Sequence, residues 1–330
     1  MEAIVPLRCW ESHMGASTQD IFGRAGSAEP ALPGSYGEAP KGFRLPDSTR
    51  LGPVRLQVAD LPRSVAFYQD VLGLVLSDSN RDWAVLSAQG DDTHLVELRE
   101  RRGARPGQHR GRLGLYHFAI LLPDRQSLGR FVRHLGEIGV RAGAGDHLVS
   151  ESLYLQDPDN LGIEVYADRP QSTWRRVGRE LMMATDPVDI AGLLEAAGDV
   201  SWRSMPSGTS IGHVHLHVGN LEQASAFYSE ALGFDRTVWH YPGALFFAAG
   251  GYHHHLGTNT WAGSGAAPPA PEDAGLLEWT IELPEAASVS AVGESLRRGG
   301  YAPIREGDSD QEAELVTHDP WGTRVRLRGP

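Results

Sequence analysis

The chain has 330 residues, 41% of them hydrophobic, with 42 acidic side chains against 30 basic ones and a formal charge of −12. That length allows two domains, and the acidic balance argues against nucleic acid or an anionic membrane as a partner, since both require a basic surface. A single cysteine, Cys9, excludes an internal disulfide framework, no apolar run reaches the roughly 18 residues of a membrane span, and the first residues lack the charged start and apolar core of a signal peptide. The expectation is a cytoplasmic protein that handles small molecules, with a homo-oligomer left open.

Residues 1–48 are rich in Gly, Pro and Ser without periodicity and read as a mobile N-terminal arm. A first unit then runs over 52–106. It opens with the alternating strand Val54-Arg-Leu-Gln-Val, turns at Asp60-Leu61, and enters a helix through Ala66-Phe-Tyr-Gln-Asp-Val-Leu-Gly-Leu74, whose apolar positions recur at three and four. Gly73 stands at the expected helix C-cap. A second unit covers 113–170. Its strand Leu115-Tyr-His-Phe-Ala-Ile-Leu-Leu-Pro123 leads into a helix over about 127–138, and it closes on the turn Asp157-Pro-Asp-Asn before an apolar strand.

Residues 171–209 read as a linker with one short helix around Val188 to Ala197. The third unit, 210–262, repeats the first 160 positions on, from Val214-His-Leu-His-Val to Ala226-Phe-Tyr-Ser-Glu-Ala-Leu-Gly-Phe234, with Gly233 at the cap. An irregular loop with Pro268, Pro269 and Pro271 follows. The fourth unit, 275–330, repeats the second: Leu276-Leu-Glu-Trp-Thr-Ile-Glu-Leu-Pro284, a helix over 287–298, and Asp319-Pro-Trp-Gly. The chain is therefore expected to be α+β, four βαβββ modules, with modules one and two in a domain at 49–170 and modules three and four in a domain at 210–330.

The repeat and its Ala-Phe-Tyr-x-x-x-Leu-Gly helix resemble the vicinal-oxygen-chelate superfamily of glyoxalases, fosfomycin-resistance proteins and extradiol dioxygenases. The four-module length and the phrase Tyr252-His-His-His-Leu-Gly-Thr-Asn-Thr-Trp261 resemble its two-domain dioxygenases of the catechol-2,3-dioxygenase type. The resemblance implies modules paired into two cup-shaped mixed-sheet barrels, with metal ligands on the first and last strands of each module. Here the first-strand positions are Pro53, His117, His213 and Glu278, and the last-strand positions are Glu97, Glu164, one of His253–His255, and Arg326.

An extradiol site uses two imidazoles and one carboxylate on one face of Fe(II), leaving positions for substrate and dioxygen. The family takes these from modules three and four. Glu278 and Arg326 break that placement, because arginine cannot ligate a metal. Modules two and three together retain a full set. The resemblance thus implies Fe(II), or Mn(II), on His117, Glu164 and His213, with His255 as a possible further ligand. It also implies His254 as acid–base, Tyr154 as a substrate contact and His147 beside it, all acting on a small aromatic diol with O2. This set requires modules two and three to share a cup.

Several bland readings stand beside these. His215 and His217 read as core histidines of the strand that carries His213, Glu97 as a strand-edge carboxylate, and the Phe and Tyr of the repeated helices as packing. His94, His109, His134, His240 and His318 read as structural or surface residues. Phe118, Trp239, Phe246 and Trp261 are candidate pocket walls. Two other functions remain open: a glyoxalase-like isomerase or lyase with four ligands (His117, Glu164, His213 and His255) or a site from Glu97, His117 and Glu164; and a non-enzymatic binder of aromatics or antibiotics.

Overall fold

The computed structural model describes residues 15–23, 28–306 and 314–330. The repeats appear as expected: each of the four modules is a strand, a helix and three further strands. Asp60, Asp124 and Asn220 cap the helices of the first three modules by accepting the amides of Arg63, Ser127 and Gln223, satisfying donors that a helix start leaves free. Gly73 and Gly233 end the repeated helices in the left-handed region, at φ 79° and 104°, where a Cβ would be strained. The third module departs from the first in one respect. Its helix begins as Leu221–Ser225 and continues as a wide π-turn over Ala226–Ala231.

Two eight-stranded sheets carry the modules, and neither follows the chain in simple order. In one, the strands run Asp235–Val238, Ala244–Ala248, Leu256–Asn259, Ser210–His217, Gly114–Leu121, Gly162–Asp168, Ser150–Gln156 and Gly143–Asp146. Modules three and two therefore share a cup, joined by antiparallel pairing of their first strands, with His215 opposite His117. In the other, Arg50–Val58 pairs with Gly275–Glu282, so modules one and four share the second cup, with Arg55 opposite Glu278.

The expected domains 49–170 and 210–330 are thus not separate cups. The first strand of each module finds its hydrogen-bonding partner in the opposite half of the chain. Consecutive modules still interlock, through helix and turn. Tyr68 of the first repeated helix donates to Asp157 in the turn of module two at 3.3 Å, and Tyr228 donates to Asp319 in module four at 2.8 Å.

The arm also differs from expectation. Residues 1–14 and 24–27 lie outside the described residues, but the remainder is docked rather than mobile. Glu29–Pro30 pairs with Arg175–Val177, Leu45 is buried in the main core, and Tyr36 donates to the Gly251 carbonyl. Backbone bonds tie the arm to distant segments, with the amides of Ala31, Gly37 and Leu45 donating to the carbonyls of Trp174, Arg179 and Gly233. The linker is built in too. Its helix spans Ile190–Ala196 behind the Asp189 cap, and it packs on helix Arg125–Glu137 so closely that a Cβ on Gly129 would meet the Leu193 carbonyl at 2.0 Å.

Candidate metal centre

The alternation of the central strands sorts the site. Along Ser210–His217 and Gly162–Asp168, Val214, Leu216, Ile163 and Val165 enter the main hydrophobic core together with Phe118 and Ile120. The intervening His213, His215, Glu164 and His117 line the inner cavity of the cup. Register shifts flank His213 and His215 on their strand, and such irregularities re-aim side chains. Phe118 therefore does not wall the cavity as expected; Phe246 and Trp261 do, and Trp239 is not among the lining residues.

His117, Glu164 and His213 are all buried, and they offer ligand atoms within 4.8 Å of one another. The rings of His117 and His213 lie 5.5 Å apart. Each Nε2 stands 3.0 Å from the same Glu164 oxygen, Oε2, while Ser152 donates to the other oxygen at 2.6 Å. His117 Nε2 has no hydrogen-bond partner despite its burial, a costly state unless something else occupies its lone pair.

The electrostatics point the same way. Burial pushes His213 down to about 4, so its ring is uncharged at neutral pH. Burial also opposes the charge on Glu164, but its close contacts with His213 and His117 outweigh that and hold it well below the usual carboxylate range. The result is a buried carboxylate against imidazole nitrogens with no permanent cation in the triad. Two nitrogen donors and one carboxylate on one side of a cavity fit a divalent transition metal with open positions.

Around this triad the sequence-expected residues fall unequally. His254 lines the cavity, its ring centroid 4.0 Å from that of His213. Its tautomer is set from behind. Asp168 can only accept, so His253 Nε2, 2.8 Å away, carries the proton. His253 Nδ1 then accepts from His254 Nδ1 at 2.7 Å. With both rings uncharged, this leaves Nε2 of His254 unprotonated. Burial holds the His254 pKa well below the ordinary value.

His147 and Tyr154 form a pair at the cavity wall. The Ala184 carbonyl, 2.7 Å from His147 Nδ1, places the ring proton there, and Nε2 accepts from the Tyr154 hydroxyl. His255 is not brought to the triad. Its Nδ1 accepts the Ala249 amide at 3.2 Å, and its ring borders a separate cavity near Arg50 and Gly251. The run His253–His255 lies before the strand, which begins at Leu256, so these histidines do not stand at last-strand positions. Glu97 is in the other cup, paired with Arg55 at 2.7 Å, so Glu97, His117 and Glu164 do not form a site.

Other contributors act at one remove from the triad or come from outside the cup. Asp168 and His253 act through His254, and Ser152 through Glu164. Asn259 bridges two further histidines. The Trp261 amide must donate to Asn259 Oδ1, at 3.0 Å, so the amide nitrogen faces His215 Nε2 at 2.9 Å while His217 Nδ1 reaches Oδ1 at 2.6 Å. His215 and His217 are thus interior histidines joined through Asn259, although His217 Nε2 lacks a partner and His215 also borders the cavity. Met183, Ala184 and Thr185, from the expected linker, complete the wall. Pairing with the cup's neighbours could not be read from a segment without periodicity.

The model of the Glyoxalase/Bleomycin resistance protein/Dioxygenase superfamily matches residues 50–165 and 210–327. The chain belongs to this superfamily. A relative described as catechol-2,3-dioxygenase, from Bacillus subtilis (strain 168), is 48% identical over 261 residues, which is 78% of this chain and 90% of that protein. Two solved structures share the superfamily fold. A putative dioxygenase from Bacillus subtilis subsp. subtilis str. 168 superposes with a TM-score of 0.57 at 12% identity, covering 85% of this chain and 86% of that one. Glyoxalase I from Zea mays gives 0.51 at 19% identity, with 86% and 92% covered. No helix among the described residues is long and apolar enough to cross a membrane.

Proposed function

We propose that the chain is an extradiol dioxygenase of the catechol-2,3-dioxygenase type, opening the ring of catechol or a substituted catechol beside its diol with O2. The observation that carries this reading is the convergence of His117, Glu164 and His213 on one point, with His254 and Tyr154 facing the same cavity. The 48% identical relative supports the reaction class. A four-ligand glyoxalase-like site has less support, because His255 borders another cavity.

His117, Glu164 and His213 would hold Fe(II), with Mn(II) suited to the same donors; when bound, the ion supplies Lewis acidity toward the catechol hydroxyls and a redox centre for dioxygen. The protein residues handle protons and position. The bare Nε2 of His254 accepts a hydroxyl proton as substrate binds, and the protonated ring returns it when the ring opens. The Tyr154 hydroxyl, held by His147, turns toward a catechol oxygen as charge develops there. Phe246 and Trp261 flank the ring and keep water away.

The test is oxygen uptake with catechol by protein reconstituted anaerobically with Fe(II), together with appearance of a yellow ring-opened product. Uptake is expected, and His213→Ala and Glu164→Ala should each lose bound metal and reduce the rate by at least ~10³-fold. Uptake that survives both substitutions would discard the ligand set, and no uptake across a panel of catechols would discard the reaction.

A further inference from the structure

We infer that the segment Met182–Asp186, strapped from outside by Ala16 and Thr18, is the specificity wall of the site, and that it restricts the cavity to uncharged, single-ring catechols. This rests on the dioxygenase reading and adds the substrate class to it. Met183, Ala184 and Thr185 line the cavity together with the metal triad, yet they belong to neither module that builds the cup.

The wall is pinned on both sides. Toward the cup, the Ala184 carbonyl accepts from His147 at 2.7 Å, Thr185 and Tyr241 hydroxyls bond at 2.9 Å, and the backbones of Asp186 and Asp146 exchange two bonds of 2.8 Å. From outside, the Ala16 carbonyl accepts the Thr185 amide at 2.8 Å, and the Ala16 amide donates to Tyr241 at 3.1 Å. Thr18 binds the Asp186 carboxylate through its amide at 3.0 Å and its hydroxyl at 2.6 Å. A segment tied at this density does not swing away to admit a larger ligand, because each bond broken leaves a partner unsatisfied.

The chemistry of the lining sets the rest. Among the described residues that line the cavity there is no lysine or arginine. Glu164 is the one carboxylate among those described residues. A carboxylate substituent on the ring would be buried against Met183, Phe246 and Trp261 without the counter-charge that a buried carboxylate needs. A second aryl ring would meet the pinned wall.

The test is anaerobic calorimetric binding to the Fe(II)-loaded full chain, with turnover measured in parallel. The probes are catechol, 4-methylcatechol, 3,4-dihydroxyphenylacetate and 2,3-dihydroxybiphenyl. Catechol and its methyl derivative should bind within about tenfold of each other, and the other two at least ~100-fold more weakly. Met183→Ala should raise the affinity of 2,3-dihydroxybiphenyl relative to catechol by about tenfold or more, with no such gain for the carboxylate. Thr18→Ala, which touches no cavity residue, should narrow the biphenyl discrimination by about threefold, through loss of the outer tether.

Equal binding of all four compounds overturns the wall, whatever the turnover. The expected ranking without turnover of any compound sustains the wall and overturns the dioxygenase reading. Binding of none overturns both. A parallel change for every compound in Met183→Ala and Thr18→Ala would show a structural role only and sink the inference.

Discussion

The two cups are cut to one plan from one chain, and they solve the same problem with different cations. Each brings a carboxylate to the centre of a sheet pair, and equivalent residues face one another across both seams: His215 opposite His117 in one, Arg55 opposite Glu278 in the other. In the first, Glu164 meets His117 and His213 and no permanent positive charge. In the second, Glu278 receives Arg326 at 2.7 Å, Arg55 at 3.2 Å and Arg324, while Arg326 also reaches Glu314 at 2.7 Å and Glu306 at 3.2 Å. The guanidinium groups hold Glu278 below the carboxylate range against the effect of burial.

A buried carboxylate needs a compensating charge. The second cup carries its own in covalent form and has no coordination site left, since a guanidinium donates and cannot ligate. The first cup leaves that charge to be supplied from solution. This contrast turns a degenerate repeat into a structural element and its sister into a centre for chemistry.

The comparison breaks most visibly at Glu278. Glu278→Ala leaves three arginines facing one another and should cost about 3 kcal/mol of stability by denaturant unfolding, while metal content and turnover per folded molecule stay unchanged. A loss of metal in that variant would mean the cups are not independent. A smaller effect is expected from the ion itself. Chelation should lower the stability of the metal-loaded protein by about 2–3 kcal/mol at a hundredfold excess of metal over Kd, and Glu164→Ala should show no response to chelator. A stability shift that persists in Glu164→Ala would place the ion elsewhere.

The comparison also extends to the turns that interlock the modules. Burial raises Asp157 from 3.8 to about 7 in the folded protein, against the amides of Leu161 and Asp159 that favour its charge. A carboxyl that holds its proton more tightly when folded contributes stability that is full below about 3.8 and is lost as pH rises through about 7. Asp157→Asn should therefore flatten the decline of Tm between roughly pH 4 and pH 8; an unchanged profile would remove Asp157 as its source.

Much of this was legible in the residues. The four modules show because a repeated strand and helix repeat their apolar period and their caps, Asp60 with Gly73 and Asn220 with Gly233. The ligand candidates show because Glu278 replaces the expected histidine and Arg326 cannot ligate, whereas His117 and Glu164 keep metal-binding side chains, and that asymmetry alone pointed to modules two and three in one cup. What escaped reading had no period or acted at one remove: the docked arm, the wall at Met183–Thr185, and Asp168 and His253 behind His254. His255, named as a possible further ligand, precedes the strand and borders a separate cavity, a placement that only the fold decided.

Local chemistry is written along the chain, so the sequence by itself determined the elements, their caps, and which side chains are able to bind a metal. Tertiary structure decided which edges pair, that His147 carries its proton on Nδ1, and that a linker closes the cavity. Those outcomes depend on hydrogen-bonding groups that every residue possesses, and only the folded arrangement assigns each one its partner.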